Sequence, residues 1–110
     1  MITEKPWGHE ELWAITDVYA GKLLFINAGE SLSLQYHERK VETLRVMSGR
    51  LLMSLDGNEA ELEAGAVAHI EPPMPHRMAA IEDCVVLEVS TPELDDVVRL
   101  EDRYGRIEHE

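Results

Sequence analysis

The stretch "GESLSLQYHERKVETLRVMSG", residues 29 to 49, decides how this chain is read. Leucines alternate with small polar residues, Gln35, His37 and Glu42 follow, and glycines stand at both ends. Side chains alternate across a strand. Ser31, Ser33, Gln35 and His37 therefore share one face, and Leu32, Leu34 and Tyr36 share the other. In the next segment Glu42, Leu44 and Val46 oppose Thr43, Arg45 and Met47. In "CVVLEVS" (84–90), Val86, Glu88 and Ser90 oppose Val85, Leu87 and Val89. A lone strand histidine ordinarily lies on the wet face, with the leucines inward. The spacing here argues for the opposite orientation. Gln35 and His37 at i, i+2 converge, and Glu42 returns after a turn on what reads as the antiparallel partner strand. His76 arrives in a third segment behind the corner "EPPMPH". Four N or O donors from three segments can surround one divalent ion.

The rest of the chain reads as further strands. "LLFINAG" (23–29), "RLLMSLDG" (50–57), "AVAHIEP" (66–72) and "PHRMAAI" (75–81) are short, rich in branched apolar residues and bounded by turn residues. "LDGNE" (55–59) carries a hairpin signal, and Gly49 reads as a tight turn between two strands. "TPELDDVVRL" (91–100) predicts the start of a helix, with Thr91 as N-cap and Pro92 at the first position. Many short strands at regular spacing predict an all-β sandwich or barrel, a single domain over 1–110. The 110 residues suit one domain with a real core. The formal net charge of −12 weighs against nucleic acid and anionic membrane as partners. No apolar run approaches the roughly 20 residues of a membrane span, and the N-terminus does not read as a secretory signal. Cys84 stands alone, so no intrachain disulfide is expected, which agrees with a cytoplasmic setting.

These residues resemble the cupins, whose fold is a double-stranded β-helix, a jelly-roll barrel of antiparallel strands. Their first motif is G-x5-H-x-H-x3–4-E-x6-G. Gly29, Gln35, His37, Glu42 and Gly49 stand at its spacings, with Gln in place of the first His. Gly65, the Pro-rich corner and His76 fit the second motif. Pro73, Glu71 and Ala80 depart from its glycine, proline and final asparagine. Within the cupins the chain looks most like mannose-6-phosphate isomerases, single-domain or guanylyltransferase-linked (type II). It shares "PWG" (6–8), "LSLQ-x-H" (32–37), "HR" (76–77) and "EDRYGR" (101–106). "ERK" (38–40) replaces their His-rich stretch, which leaves substrate preference open.

The resemblance implies an aldose–ketose isomerase acting on a sugar or sugar phosphate. One divalent metal would be held by Gln35, His37, Glu42 and His76. Zinc is favoured by family likeness, and Mn, Fe, Co or Ni also suit the donors. Glu88, on the same predicted face in an apolar strand, is the first candidate base, and Lys40 is the second candidate, as base or phosphate ligand. Lys5, Trp7, Arg77, Arg103 and Arg106 are the expected substrate contacts, with both termini meeting near the barrel mouth. His69 reads as structural, and neither His9 nor His109 carries a role. A sugar- or nucleotide-sugar-binding module without catalysis remains an alternative. A metal-dependent oxygenase is another, disfavoured by Gln35. Turning the polar face inward would drive Leu32, Leu34, Tyr36, Val85, Leu87 and Val89 outward. That predicts partial cover by an N-terminal strand through Leu12 and Ile15, and a homodimer packed sheet to sheet.

Overall fold

Runs of Val, Ile, Leu and Thr only four to eight residues long, broken by Gly, Pro and Asp, pair as strands because no helical stripe is sustained. The computed structural model describes residues 1–106. The expected domain end at 110, and His109, lie outside the described residues. The strands in chain order are β1 (Ile2–Lys5), β2 (Gly8–Ile15), β3 (Ala20–Ile26), β4 (Leu34–Tyr36), β5 (Glu42–Ser48), β6 (Arg50–Leu55), β7 (Asn58–Glu63), β8 (Val67–Ile70), β9 (His76–Ala80), β10 (Cys84–Ser90) and β11 (Val98–Glu101). They form a six-stranded sheet, β1-β2-β3-β10-β5-β8, and a five-stranded sheet, β11-β4-β9-β6-β7, antiparallel throughout. This is the all-β double-stranded β-helix. Among the described residues no helix is long and apolar enough to cross a membrane.

The two inner faces make the core. Leu24, Ile26, Leu44, Val46 and Val86 of the larger sheet meet Leu51, Met53 and Met78 of the smaller one. Each such buried side chain contributes roughly 1.5–3 kcal/mol. Alternation holds where the strands are regular: Cys84, Val86, Glu88 and Ser90 are buried on β10, and Glu42, Leu44 and Val46 on β5.

Several expectations give way. The 31–37 segment is a strand only over Leu34–Tyr36, with an isolated bridge from Ser31 to Ala79. The alternation slips there, and Leu32 is buried in the core rather than turned outward. Glu42 does not sit on the partner of that strand, because β4 and β5 belong to different sheets. Residues 91–97 form a bend and a turn, not a helix. Thr91 does not cap a helix: its hydroxyl accepts the Val41 N–H at 3.0 Å, and its own N–H donates to the Val41 carbonyl at 3.0 Å. The six residues assigned to one outward face also divide. Leu34 and Tyr36 lie on the smaller sheet, and Val85, Leu87 and Val89 on the larger. The strand carrying Leu12 and Ile15 lies beside β3 and extends that sheet instead of covering it.

The two turns flanking β6 are built differently. Asp56 and Gly57 close the β6–β7 hairpin with φ of 50° and 82°, the two-residue left-handed turn that suits twisted strands. Gly49, with φ of 84°, is not a hairpin turn but the corner at which the chain passes from one sheet to the other. A Cβ there would lie 2.1 Å from the Asp83 carbonyl oxygen, whereas one at Gly57 meets nothing within 4 Å. Gly57→Ala is therefore expected to cost about 1 kcal/mol of backbone strain. Gly49→Ala adds a backbone clash and should cost roughly 3 kcal/mol or more. Urea denaturation of the two variants checks the difference. Equal losses would show that the corner yields.

Candidate metal centre

The site spans the gap between the sheets. Glu42 opens β5 of the larger sheet, while His76 opens β9 of the smaller one and His37 follows β4 beside it. All three are buried, and their ligand atoms lie within 4.8 Å of one another. Glu42 Oε1 is 3.3 Å from His37 Nε2 and 3.0 Å from His76 Nε2. The far nitrogen of each ring is committed to backbone. His37 Nδ1 donates to the Asp96 carbonyl at 2.5 Å, and His76 Nδ1 to the Met74 carbonyl at 2.9 Å. A carbonyl can only accept, so in the neutral ring Nδ1 carries the proton and Nε2 turns its lone pair to the centre. His76 Nε2 has no hydrogen-bond partner among the described residues. Two lone pairs and a carboxylate oxygen repel one another unless a cation stands among them. This donor set fits a divalent ion. Gln35 is the register partner of His76 on the adjacent strand, and its Oε1 accepts from the Ser33 hydroxyl at 2.8 Å.

The second oxygen of Glu42 serves a different neighbour. Lys40 Nζ is 3.3 Å from Glu42 Oε2 and 3.4 Å from Glu88 Oε2, with all three side chains buried. Burial alone would raise Glu42, but without an ion the His37 and His76 rings can each take a proton on Nε2 and donate to it, and these bonds, then the charge of Lys40, hold it well below the usual carboxylate range. Burial, and then the charge of Glu42, push Glu88 up to about 7 while Lys40 pulls the other way. Burial would also lower Lys40, yet Glu88 and Glu42 outweigh it and raise the ammonium. Lys40 is thus a held cation, bridging Glu42 and Glu88.

A cavity of about 120 Å³ opens beside this cluster, with Gln35, Lys40 and Glu88 in its wall. Lys5, Trp7 and Arg106 line it too, so β1, the turn after it and the end of the described residues share one cavity. Arg77 and Arg103 do not line it. Arg77 Nε donates to the Leu32 carbonyl at 3.0 Å and Arg103 Nη1 to the Gly29 carbonyl at 2.7 Å, bracing the irregular 29–32 segment. Trp13 lies half-exposed over Gly21 on the outer face.

The sequence reading missed Glu10, Lys22, Asp96 and Arg99. Lys22 shares the inward phase of Leu24 and Ile26, a visible signal, and it meets Glu10 at 2.8 Å. Asp96 had no such signal. Its carboxylate accepts the backbone N–H groups of Glu38, Arg39 and Lys40 at 3.0, 2.7 and 2.9 Å, while its carbonyl fixes His37. The 91–97 segment is therefore a strap that sets the loop carrying His37 and Lys40.

Comparison with known proteins agrees with this architecture. The family model described as Cupin domain matches residues 22–90. Mannose-1-phosphate guanylyltransferase of Escherichia coli (strain K12) is 34% identical over 111 residues, covering 94% of this chain and 23% of that protein. The chain thus spans less than a quarter of the length of the curated relatives it matches. Among solved structures, KdgF from Halomonas sp. superposes with a TM-score of 0.81 at 21% identity, over 87% of this chain and 91% of that one. An RmlC-like cupin from Shewanella frigidimarina NCIMB 400 gives 0.79 at 15% identity, over 87% and 86%.

The strap yields a prediction. The Glu38 amide most strongly, then, against the opposing effect of burial, the Arg39 and Lys40 amides, hold the Asp96 carboxyl down to about 2, from 3.8. A depressed carboxyl contributes stability that is full above its unfolded value and lost as pH falls through the folded one. The acid limb of the wild-type stability curve should therefore fall between about pH 4 and pH 2. Asp96→Asn turns an amide N–H₂ against donors and, discounted for the solvent around this carboxylate, should cost roughly 1–2 kcal/mol at pH 7. That loss should shrink across the same acid window. Denaturation at pH 7 and pH 2.5 measures it, and an unchanged loss at both would refute the carboxylate's role.

Proposed function

The chain belongs to the Cupin domain family, and on that footing we propose that it interconverts an aldose and a ketose at a single metal centre. A sugar phosphate is its substrate, and mannose 6-phosphate is the first to test. The observation that carries this reading is the buried Glu88 in the cavity wall, joined through Lys40 to Glu42 of the His37–Glu42–His76 cluster. The relationship to mannose-1-phosphate guanylyltransferase supports a mannose phosphate as the class of ligand.

His37, Glu42 and His76, with Gln35 turning to join them, would hold one divalent ion, zinc first among the candidates. When bound, the ion would supply a Lewis acid for the two neighbouring sugar oxygens. Glu88 would take the proton from one carbon and return it to the next, its proton affinity raised by its buried setting. Lys40 holds Glu88 and Glu42 in register and keeps their charges apart from each other. Trp7, Leu24, Leu32 and Met78 form the apolar wall that limits water at the reacting end. A sugar-binding module without turnover is the second reading. The Lys40–Glu88 ion pair favours it, because a paired carboxylate is a weaker base.

A homodimer belongs to the same proposal. The outer face of the larger sheet carries Leu23, Phe25, Met47, Val85, Leu87 and Val89, with Met47 50% and Val89 46% exposed. A twofold copy of the same face would cover them.

Two experiments test these readings. Metal analysis and a coupled assay on mannose 6-phosphate should show a divalent ion and turnover in the wild type. His37→Ala should lose both. Glu88→Gln should keep the ion and lose turnover by roughly 10²–10⁴-fold, and full activity in that variant would remove Glu88 as the base. Light scattering should give a dimer at micromolar concentration and a monomer for Leu87→Asp. A monomeric wild type would end the dimer.

A further inference from the structure

The cavity is cationic although the protein is strongly acidic. Five cations line it, Lys5, Lys22, Lys40, Arg99 and Arg106, against two carboxylates, Glu10 and Glu88. Four of the five are already matched. Lys5 and Lys22 share Glu10 at 3.1 and 2.8 Å. Lys40 lies between Glu42 and Glu88, and Arg106 Nε donates to Asp102 at 2.8 Å.

Arg99 differs from these. Its Nε is buried without a hydrogen-bond partner among the described residues, and its guanidinium forms no ion pair with them. A buried guanidinium N–H left this way is costly unless something else completes it. Its place in the sheet says what. Arg99 on β11 is the register partner of Gln35 on β4, and Gln35 is the register partner of His76 on β9. Residues in one such row project to the same face of a sheet, and Arg99 does line the cavity. Two strand spacings, roughly 10 Å, separate Arg99 from His76 along the row. That span is of the order of a hexose carrying a group at its far end.

We propose that Arg99 is the anchor for an oxyanion on the substrate, a phosphate or a carboxylate held by two parallel N–H···O bonds. It thereby selects anionic sugars over neutral ones. This rests on the isomerase reading for the reacting end, next to Glu88 and the histidines, and adds the determinant at the other end. The matched cations set the positive potential of the mouth, while among the described residues lining the cavity Arg99 offers a buried N–H with no partner. No sequence pattern marked it, since "TPELDDVVRL" (91–100) reads as the start of a helix.

Equilibrium binding to the full chain tests the inference without relying on turnover. Mannose 6-phosphate, glucuronate and neutral mannose are titrated calorimetrically into wild type, Arg99→Lys and Arg99→Gln. The wild type should bind at least one of the two anions about tenfold or more tighter than mannose. Preference between the two anions tells phosphate from carboxylate. Arg99→Gln should lose roughly 30-fold or more of that anion affinity while mannose binding stays the same, and Arg99→Lys should fall between. Thermal melts on the same samples confirm that each variant is folded. Should Arg99→Gln not fold, Arg99→Lys alone decides, because a lysine keeps charge but not the paired geometry and must still lose affinity for the anion. Undiminished anion affinity in the folded variants, or a wild type indifferent to charge, overturns the proposal. Arg99-dependent anion binding in a protein without isomerase activity would sink the isomerase reading and leave the anchor standing. Unchanged turnover in Arg99→Gln would do the reverse.

Discussion

Glu42 is 2% exposed, and its two oxygens are divided between two tasks. One faces the Nε2 atoms of His37 and His76, and the other faces the ammonium of Lys40. An ionised carboxylate at this depth persists only if cations and donors meet it on every side. The requirement reaches through the whole fold. Glu42 belongs to the six-stranded sheet and His76 to the five-stranded sheet, so the polar cluster joins the two sheets at the point where the apolar core ends. Leu44 and Val46 continue the same inward row as Glu42, which fixes the register of β5 against β10 and β8. A slip of one residue would put the carboxylate in water and Thr43 and Arg45 in the core.

The histidines depend on backbone as much as on each other. His37 is held through Asp96 and His76 through Met74, each by a ring N–H to a carbonyl. These bonds set which nitrogen looks inward, and with it what the centre can bind. Asp96 also gathers three successive amides of the 38–40 loop. The irregular 91–97 segment therefore carries more of the site's geometry than any strand near it. The terminal "DRYG" works in a similar way. The Tyr104 hydroxyl donates to Glu30 at 2.6 Å, and Arg103 reaches the Gly29 carbonyl, closing the 29–32 segment from outside.

Charge is sorted by position. A chain with a formal net charge of −12 keeps most of its carboxylates on the surface and gathers five of its ten Lys and Arg residues around one cavity. Most of these cations are tied to a specific acid, which lets them crowd together without repelling one another apart. The acidic exterior repels polyanions, while the cavity wall gathers positive charge.

The sequence by itself determined the class of the fold and the three-residue heart of the site. Short branched runs and turn residues pointed to strands everywhere but at 91–100, and the inward phase of Glu42, Val86 and Glu88 followed from strict alternation on regular strands. His37 and His76 were legible from spacing. What only the tertiary structure decided lies wherever that period breaks or the chain crosses between sheets. Leu32 turned inward because the 31–33 stretch is not a regular strand. Glu42 came from across the barrel rather than from a hairpin partner, because Gly29–Gly49 changes sheets between β4 and β5. Arg77 and Arg103 were placed in the site by motif, yet they brace loops through carbonyls that no pattern could assign to them. Asp96 and Arg99 entered it because β11 pairs with β4 across more than sixty residues of chain. Alternation is a local property of backbone geometry and can be read from letters. Pairing between distant segments is settled by packing, and that is where the strap and the place of Arg99 beside Gln35 were decided.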